Sequence, residues 1–414
     1  MNEESEDETI AESKQIEKEA SRNLYVLWFG VFMAGMGFSA IMPFLPLYIA
    51  DLGTFSKPVL NLLSSSIFAI TFVMTAIISP IWGKLADKYG RRPMILRASL
   101  GMAIVIALMA FVTNVWELMA LRALQGLCGG FISNSTALVA TQTPRKKAGR
   151  ALGILVTGQT SGTLLGPLLG GFIASWVGYR GSFIMTGSLL FLAFILCLFL
   201  VTESHKPGEY ISKKGEEVDP HPFRNLPNKN LIFGLFLTSS VIQIVNTGID
   251  PIMALFVREI NQTNFATTML VGIIAALPGV STIFWAPRFG KLGDKYGPQY
   301  LMIGGFIFAF CVQLPTAFVS SVFLLMLFRF FIGISDAAMM PQINSLLTKS
   351  VPSDMISRIF SYNQSFMSMG NVIGPIIGGL VATMFGYQGV FISGAIFILI
   401  NFLHYLTTTK SIRK

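Results

Sequence analysis

The sequence predicts an all-α integral membrane protein of twelve transmembrane helices, arranged as two six-helix bundles related by an internal parallel repeat. Three observations predict it. Of 414 residues, 53% are apolar and only 12% charged, and the mean hydropathy is +0.64, outside the range of soluble domains. The basic residues recur in short clusters between apolar runs, which is how membrane proteins record orientation. Finally, Gly83-Lys84-Leu85-Ala86-Asp87-Lys88-Tyr89-Gly90 returns 207 residues later as Gly290-Lys291-Leu292-Gly293-Asp294-Lys295-Tyr296-Gly297, identical at seven of eight positions.

Residues 1–23 open the chain with eight acids and two lysines in the first twenty. No apolar core of a signal peptide is present, so a mobile cytoplasmic tail is expected. About 20 apolar residues cross a bilayer, and twelve stretches qualify: roughly 24–49, 60–82, 94–113, 115–141, 149–176, 181–201, 231–257, 267–289, 300–319, 321–348, 356–385 and 388–408. With the N-terminus inside, the inside segments hold 25 Lys and Arg and the outside segments three, Lys57, Arg180 and Arg258. That asymmetry predicts both termini in the cytoplasm. The polar, proline-bearing stretch 202–230 reads as a cytoplasmic linker between bundles at 24–201 and 231–409, and 410–414 as a short tail. Cys128, Cys197 and Cys311 sit within apolar runs without metal-ligand spacing, so core thiols and no metal are expected.

Further pairs recur at an offset of 207 or 208 residues. Arg122 maps onto Arg329, Pro43 onto Pro251, and Gly162-xxx-Gly166-Pro167-xx-Gly170-Gly171 onto Gly370-xxx-Gly374-Pro375-xx-Gly378-Gly379. Two bundles in the same order and orientation are the parallel-repeat plan of secondary transporters.

The stretch Gly83 to Pro93 after the second span, Arg122-xx-Gln125-Gly126 in the fourth and the GxxxGPxxGG of the fifth resemble motifs A, B and C of the major facilitator superfamily, motif C in the manner of its twelve-span drug:proton antiporters. The resemblance runs through nearly the whole chain, including LADKYGRRPM, LRALQGL and RIFSYNQSF. It implies multidrug efflux, and a latch in motif A (Gly83, Asp87, Gly90, Arg91, Arg92; second copy Gly290, Asp294, Gly297) that closes the cytoplasmic side. Asp87 is able to pair with Arg91 or Arg92. Pro298 and Gln299 replace the arginines in the second copy, so the two latches are expected to be unequal.

Ionisable groups inside the bilayer cost about 2.5–3.5 kcal/mol each on insertion scales, which makes them functional candidates. Arg122, Asp250, Arg329 and Asp336 are the proton-coupling candidates. Arg329 and Asp336 lie two helical turns apart, on one face and about 10 Å along the axis. A carboxylate held out of water is easier to protonate, which suits Asp336 as carrier; a structural ion pair is the alternative. Motif C supplies close helix packing and a hinge or seal, with static packing as the alternative. Phe38, Asn134, Gln243, Asn246 and Met340 are candidate pocket residues.

The expected function is export of hydrophobic or cationic drugs in exchange for protons by alternating access across a bacterial inner membrane. The partners are small molecules and lipid, with no nucleic acid; a monomer needing no cofactor beyond the proton gradient is expected. No GxxxxGK[ST] stretch supports ATP-driven export, and no HExxH or paired catalytic motif supports an enzyme. A transporter for a sugar phosphate, organic anion or lipid is the nearest alternative, ahead of a sensor.

Overall fold

The computed structural model describes residues 3–143, 145–203, 228–263, 265–351 and 355–410, with only the backbone described at 3–18, 145–149 and 356–358. Most of the predicted linker and residues 411–414 lie outside the described residues. The helices in order are α1 (Glu3–Ile41), α2 (Leu45–Asp51), α3 (Lys57–Tyr89), α4 (Arg91–Leu108), a 3-10 turn (Met109–Phe111), α5 (Val115–Leu127), α6 (Phe131–Gln142), α7 (Arg145–Leu200), α8 (Lys229–Ile260), α9 (Thr267–Tyr296), α10 (Pro298–Thr316), α11 (Val322–Lys349) and α12 (Ile356–Thr408). Among the described residues there is no strand.

Nine of these helices are long and apolar enough to cross a membrane. Two of them, Arg150–Leu200 with 51 residues and Ile359–Thr408 with 50, are about 75 Å of helix at 1.5 Å per residue, more than twice a hydrocarbon core of about 30 Å. Each reverses once, at Gly178 (φ 74°, ψ 175°) and at Gly386 (φ 69°, ψ −176°). Counting each of these twice, and α5 with α6 as one interrupted span, gives twelve. The two turning glycines stand 208 residues apart, in Gly178-Tyr179-Arg180-Gly181 and Gly386-Tyr387-Gln388-Gly389, another mark of the repeat. Their backbone region is open almost only to glycine. Gly178→Ala and Gly386→Ala are each expected to lower stability by about 1–3 kcal/mol, measured as a fall in the apparent melting temperature of purified protein. Gly304→Ala, where an added Cβ meets nothing within 4 Å, is the control that leaves it unchanged.

Three elements differ from their sequence reading. The acidic tail is helical from Glu3 and continuous with the first span, since Glu, Lys, Ala and Gln are good helix formers. The first span breaks between Ile41 and Leu45. Pro43 and Pro46 remove two helical donors within one turn, whereas Pro251 alone leaves α8 unbroken. The fourth span is interrupted at Cys128-Gly129-Gly130, with Gly130 left-handed at φ 107°.

The helices form two compact units. Unit 1 comprises 1–41, 73–173 and 177–218. In it, α4 and α1 pack against α6, and Met33 and Met36 of α1 pack with Ala193 of α7. The start of α5 carries a capping box: Asn114 accepts from the Trp116 and Glu117 amides at 3.1 and 2.9 Å, and Glu117 accepts from the Thr113 amide at 2.8 Å. This gives Glu117, at the start of α5, a structural duty.

Unit 2 comprises 42–72, 174–176 and 219–414. Here α12 lies along α8, and α11 against both α9 and α10. Its core joins Leu235 and Phe236, Met302 and Phe306, Ile343 and Leu347, and Tyr405. Residues 42–72 belong to the first half of the repeat yet pack in this unit: α2 touches α8, Lys57 Nζ lies 2.5 Å from Glu259 Oε1, and Thr383 Oγ1 donates to the Pro58 carbonyl at 3.4 Å. The ion pair is exposed and contributes little by itself. The three cysteines are free thiols; Cys197 is buried, while Cys311 is exposed on α10, outside the core position expected for it.

Candidate functional site

In unit 2, α11 carries Arg329 and Asp336, and α8 carries Asn246 and Asp250. Arg329 is buried at 6% exposure, and its Nε and Nη1 find no hydrogen-bond partner among the described residues. Its charge acts on both Asp250 and Asp336, although no direct ion pair closes among the described residues. A buried cation between two carboxylates leaves one negative charge in excess, and protonating either acid neutralises the group. Asp336 Oδ2 accepts from Asn246 Nδ2 at 3.1 Å. Asn246, read as a pocket residue, thus sits on the candidate proton carrier.

Arg122 is organised differently. It is fully buried in unit 1, and its Nη1 donates to Gln125 Oε1 at 2.8 Å. The next residue, Gly126, accepts from Thr75 Oγ1 at 3.1 Å. Motif B therefore joins the fourth span to the second through the Thr75–Gly126 hydrogen bond, while the charge of the matching arginine in unit 2 acts on two acids.

Motif A is less of a loop than expected. Gly83 to Tyr89 and Gly290 to Tyr296 are the last turns of α3 and α9. A Cβ on Gly83 or Gly290 would meet nothing within 4 Å, so neither glycine answers a bend. Gly90 (φ 97°) and Gly297 (φ 98°) make the turn alone. Asp87 pairs with Arg91 at 2.6 Å, while Arg92 Nη2 donates to the Leu198 carbonyl at 2.8 Å. Asp294 has no ion partner among the described residues, as the loss of the arginine pair foretells.

The turn is held by a residue that the sequence reading passed over. Glu203 accepts from the Arg91 and Arg92 amides at 2.8 and 2.9 Å, placing a carboxylate on the positive end of α4. Its neighbour Thr202 is tied to Asn23 and Gln142, whose side-chain amides donate to the Thr202 carbonyl at 2.7 and 2.8 Å. Glu203→Ala is expected to cost about 1 kcal/mol, the usual worth of a helix cap. The Arg91 and Arg92 amides should then exchange with deuterium about fivefold faster, with no change at α10, which lacks this cap.

Arg97, counted among the charges between spans, lies within α4 and reaches the interruption of the fourth span. Its guanidinium stacks 3.6 Å from the Trp82 ring and donates to the Leu127 and Gly129 carbonyls at 3.3 and 2.8 Å. Trp82 Nε1 donates to the same Leu127 carbonyl at 2.8 Å. The orphan acceptors at the end of α5 are thus satisfied by a cation, the sign the helix dipole favours there. Asn134, another pocket candidate, donates to the Gly130 carbonyl at 2.8 Å and belongs to this interruption.

Motif C forms two backbone-close seams. A Cβ on Gly158 would stand 2.7 Å from the Trp28 carbonyl, and one on Gly162, Gly166 or Gly170 would collide with the backbone around Phe32, Met36 and Ala40. In unit 2, Gly370 meets the Ser240 carbonyl at 2.6 Å, Gly374 the Ile244 carbonyl at 2.9 Å and Gly378 the backbone of Gly248. Both partners of each seam step by four residues, and the seams are related by the 208-residue offset. Pro167 and Pro375 lie inside continuous helix, and Gly171 is buried. Gly379 packs on Ser65. Of the remaining pocket candidates, Phe38 is half-buried in unit 1, Gln243 packs beside Gly370, and Met340 lies against the unit 2 core.

Comparison with known proteins bears on the family and the fold. A family described as Major Facilitator Superfamily matches residues 27–320 and 235–414. The multidrug resistance protein MdtG of Proteus mirabilis is 43% identical over 383 residues, covering 92% of this chain and 94% of that protein. MdtG of Klebsiella pneumoniae is 44% identical over 395 residues, covering 95% and 94%. A crystal structure of a bacterial homologue of the human lysosomal transporter Spinster superposes with a TM-score of 0.77 at 15% identity, covering 94% of this chain and 96% of that one. The nucleoside transporter NupG superposes with a TM-score of 0.73 at 14% identity, covering 93% and 98%.

Proposed function

The chain belongs to the Major Facilitator Superfamily, and from that membership and its likeness to the MdtG proteins we propose that it is a multidrug efflux transporter, not an enzyme. It is a multi-pass membrane protein whose cargo is small molecules. Export of hydrophobic or cationic drugs runs in exchange for protons, by alternating access. The observation that carries the coupling is the group of Asp250, Arg329 and Asp336 inside membrane spans, with Asn246 bonded to Asp336. Protonation of Asp336 removes a charge from that group, so proton entry and drug exit alternate at the cost of one carboxylate's charge. The first span holds no acid from 24 to 50, which leaves coupling to the second half of the repeat or to Asp87.

The bacterial inner membrane suits this role, with both termini in the cytoplasm by the 25-to-3 asymmetry of Lys and Arg. The working unit is a monomer. The driving force is the pH gradient plus the membrane potential, worth about 2.3 kcal/mol per charge per 100 mV. Asp87, Arg91 and Glu203 hold the turn of motif A, which gates the cytoplasmic side. The test is efflux of several unrelated fluorescent cations from everted vesicles with and without a pH gradient. Gradient-dependent movement of more than one of them is expected. Uptake of a single anionic metabolite, with no cation moved, would contradict the reading.

A further inference from the structure

Beside Asp336 lies a cavity of about 20 Å³, room for one water molecule. Its polar lining is Asn246 of α8, Gln313 of α10, and Ser335 and Asp336 of α11; the rest is apolar, including Ala309 and Ile398 of α12. The Ser335 hydroxyl is already spent on the Ile332 carbonyl at 2.6 Å. Gln313 is 1% exposed, and its Nε2 has no partner among the described residues. A buried amide donor without an acceptor is costly, and Gln313 shares this cavity with one acid. The charged groups acting on that acid are Arg329 on its own helix and, through Arg329, Asp250 on α8. The lining residues from α10 and α12 carry no charge.

We propose that this cavity seats a single water between Gln313 and Asp336, and that Gln313 is a positioning residue for proton exchange at Asp336. The inference rests on the reading of Asp336 as proton carrier. Only an amphoteric occupant serves both states of the acid. The water accepts from Gln313 Nε2 throughout, donates to the carboxylate when Asp336 is charged, and accepts from its hydroxyl when Asp336 is protonated. Asn246, donating to Oδ2, fixes the carboxylate's orientation in both states. An apolar residue in place of Gln313 removes the anchor, and the charged form of Asp336 then loses a donor.

The experiment is the pH profile of ethidium/proton exchange by the full-length chain in proteoliposomes. Two variants are compared with wild type: Gln313→Leu, which removes the donor, and Ala309→Val, which narrows the cavity without touching a polar group. Each is expected to move the profile's midpoint towards alkaline pH by about one unit, a tenfold change in apparent proton affinity, with ethidium binding unchanged. Two folded variants with the wild-type midpoint would overturn the proposal, as would a wild-type midpoint that follows sodium concentration and so marks a metal cation as the occupant. Asp336→Asn in the same assay separates the two claims. If it abolishes proton dependence while the Gln313 and Ala309 variants shift nothing, only the water seat fails; if it keeps proton dependence, the carrier assignment fails.

Discussion

Asp336→Asn is expected to lower gradient-driven drug efflux at least tenfold while leaving membrane insertion intact. The substitution keeps size and polarity but removes the proton that Asp336 exchanges. An amide at 336 also mimics the protonated acid permanently, so the Arg329 group no longer cycles between two charge states. Efflux down a drug gradient, with no pH gradient imposed, separates chemistry from folding. A folded protein that has lost coupling still binds drug, with the weaker affinity of the protonated state and no dependence on pH, and does not accumulate it against a gradient. Asp250→Asn is the comparison, because that acid shares Arg329 while the bond from Asn246 goes to Asp336; a smaller loss is expected from it.

The second large effect is expected at the glycine seams. Gly162→Val or Gly378→Val places carbon atoms where the backbone of Phe32 or Gly248 already stands. No rotamer relieves a clash with main chain, so two helices must part along their length. Overpacking of this kind costs about 3 kcal/mol, enough to halt turnover or remove folded protein from the membrane. Gly153→Val, at a position where an added Cβ meets nothing within 4 Å, should be indistinguishable from wild type in both amount and efflux. Gly378→Ala already sets its Cβ against the Gly248 backbone, so it is expected to lower the amount of folded protein as well, by less than valine.

The features legible in the sequence are those with a period or a repeat behind them. Hydropathy located the helices of the spans to within about two turns, and the glycines of motif C recur every fourth residue because each seam is a ladder of one contact per helical turn. The constant offset also paired Arg122 with Arg329. Contacts made at long sequence separation were not legible. Asn23 and Thr202 are 179 residues apart, and Glu203 reaches Arg91 across 112; nothing local in either stretch announces the partner. Arg97 was misplaced because a basic residue six positions past a turn counts equally well as an orientation mark, and only the open carbonyls of the interrupted fourth span reveal its use. Gln313 did carry a signal, as a large amide in an otherwise apolar span, a residue type that membranes tolerate only where it has work to do. Asn246 was noticed for its polarity, but its bond to Asp336 was not legible, since sequence does not say which face of α8 meets α11.

The central claim is that drug and proton compete through Asp336. The direct measurement is the proton count on adding drug to purified protein in lightly buffered detergent solution, followed with a pH dye. The account predicts that wild-type protein releases protons as drug binds, that the release vanishes in Asp336→Asn, and that this variant still binds the drug. Proton release of wild-type size from Asp336→Asn, or drug binding by wild-type protein with no proton released at any pH, would contradict it.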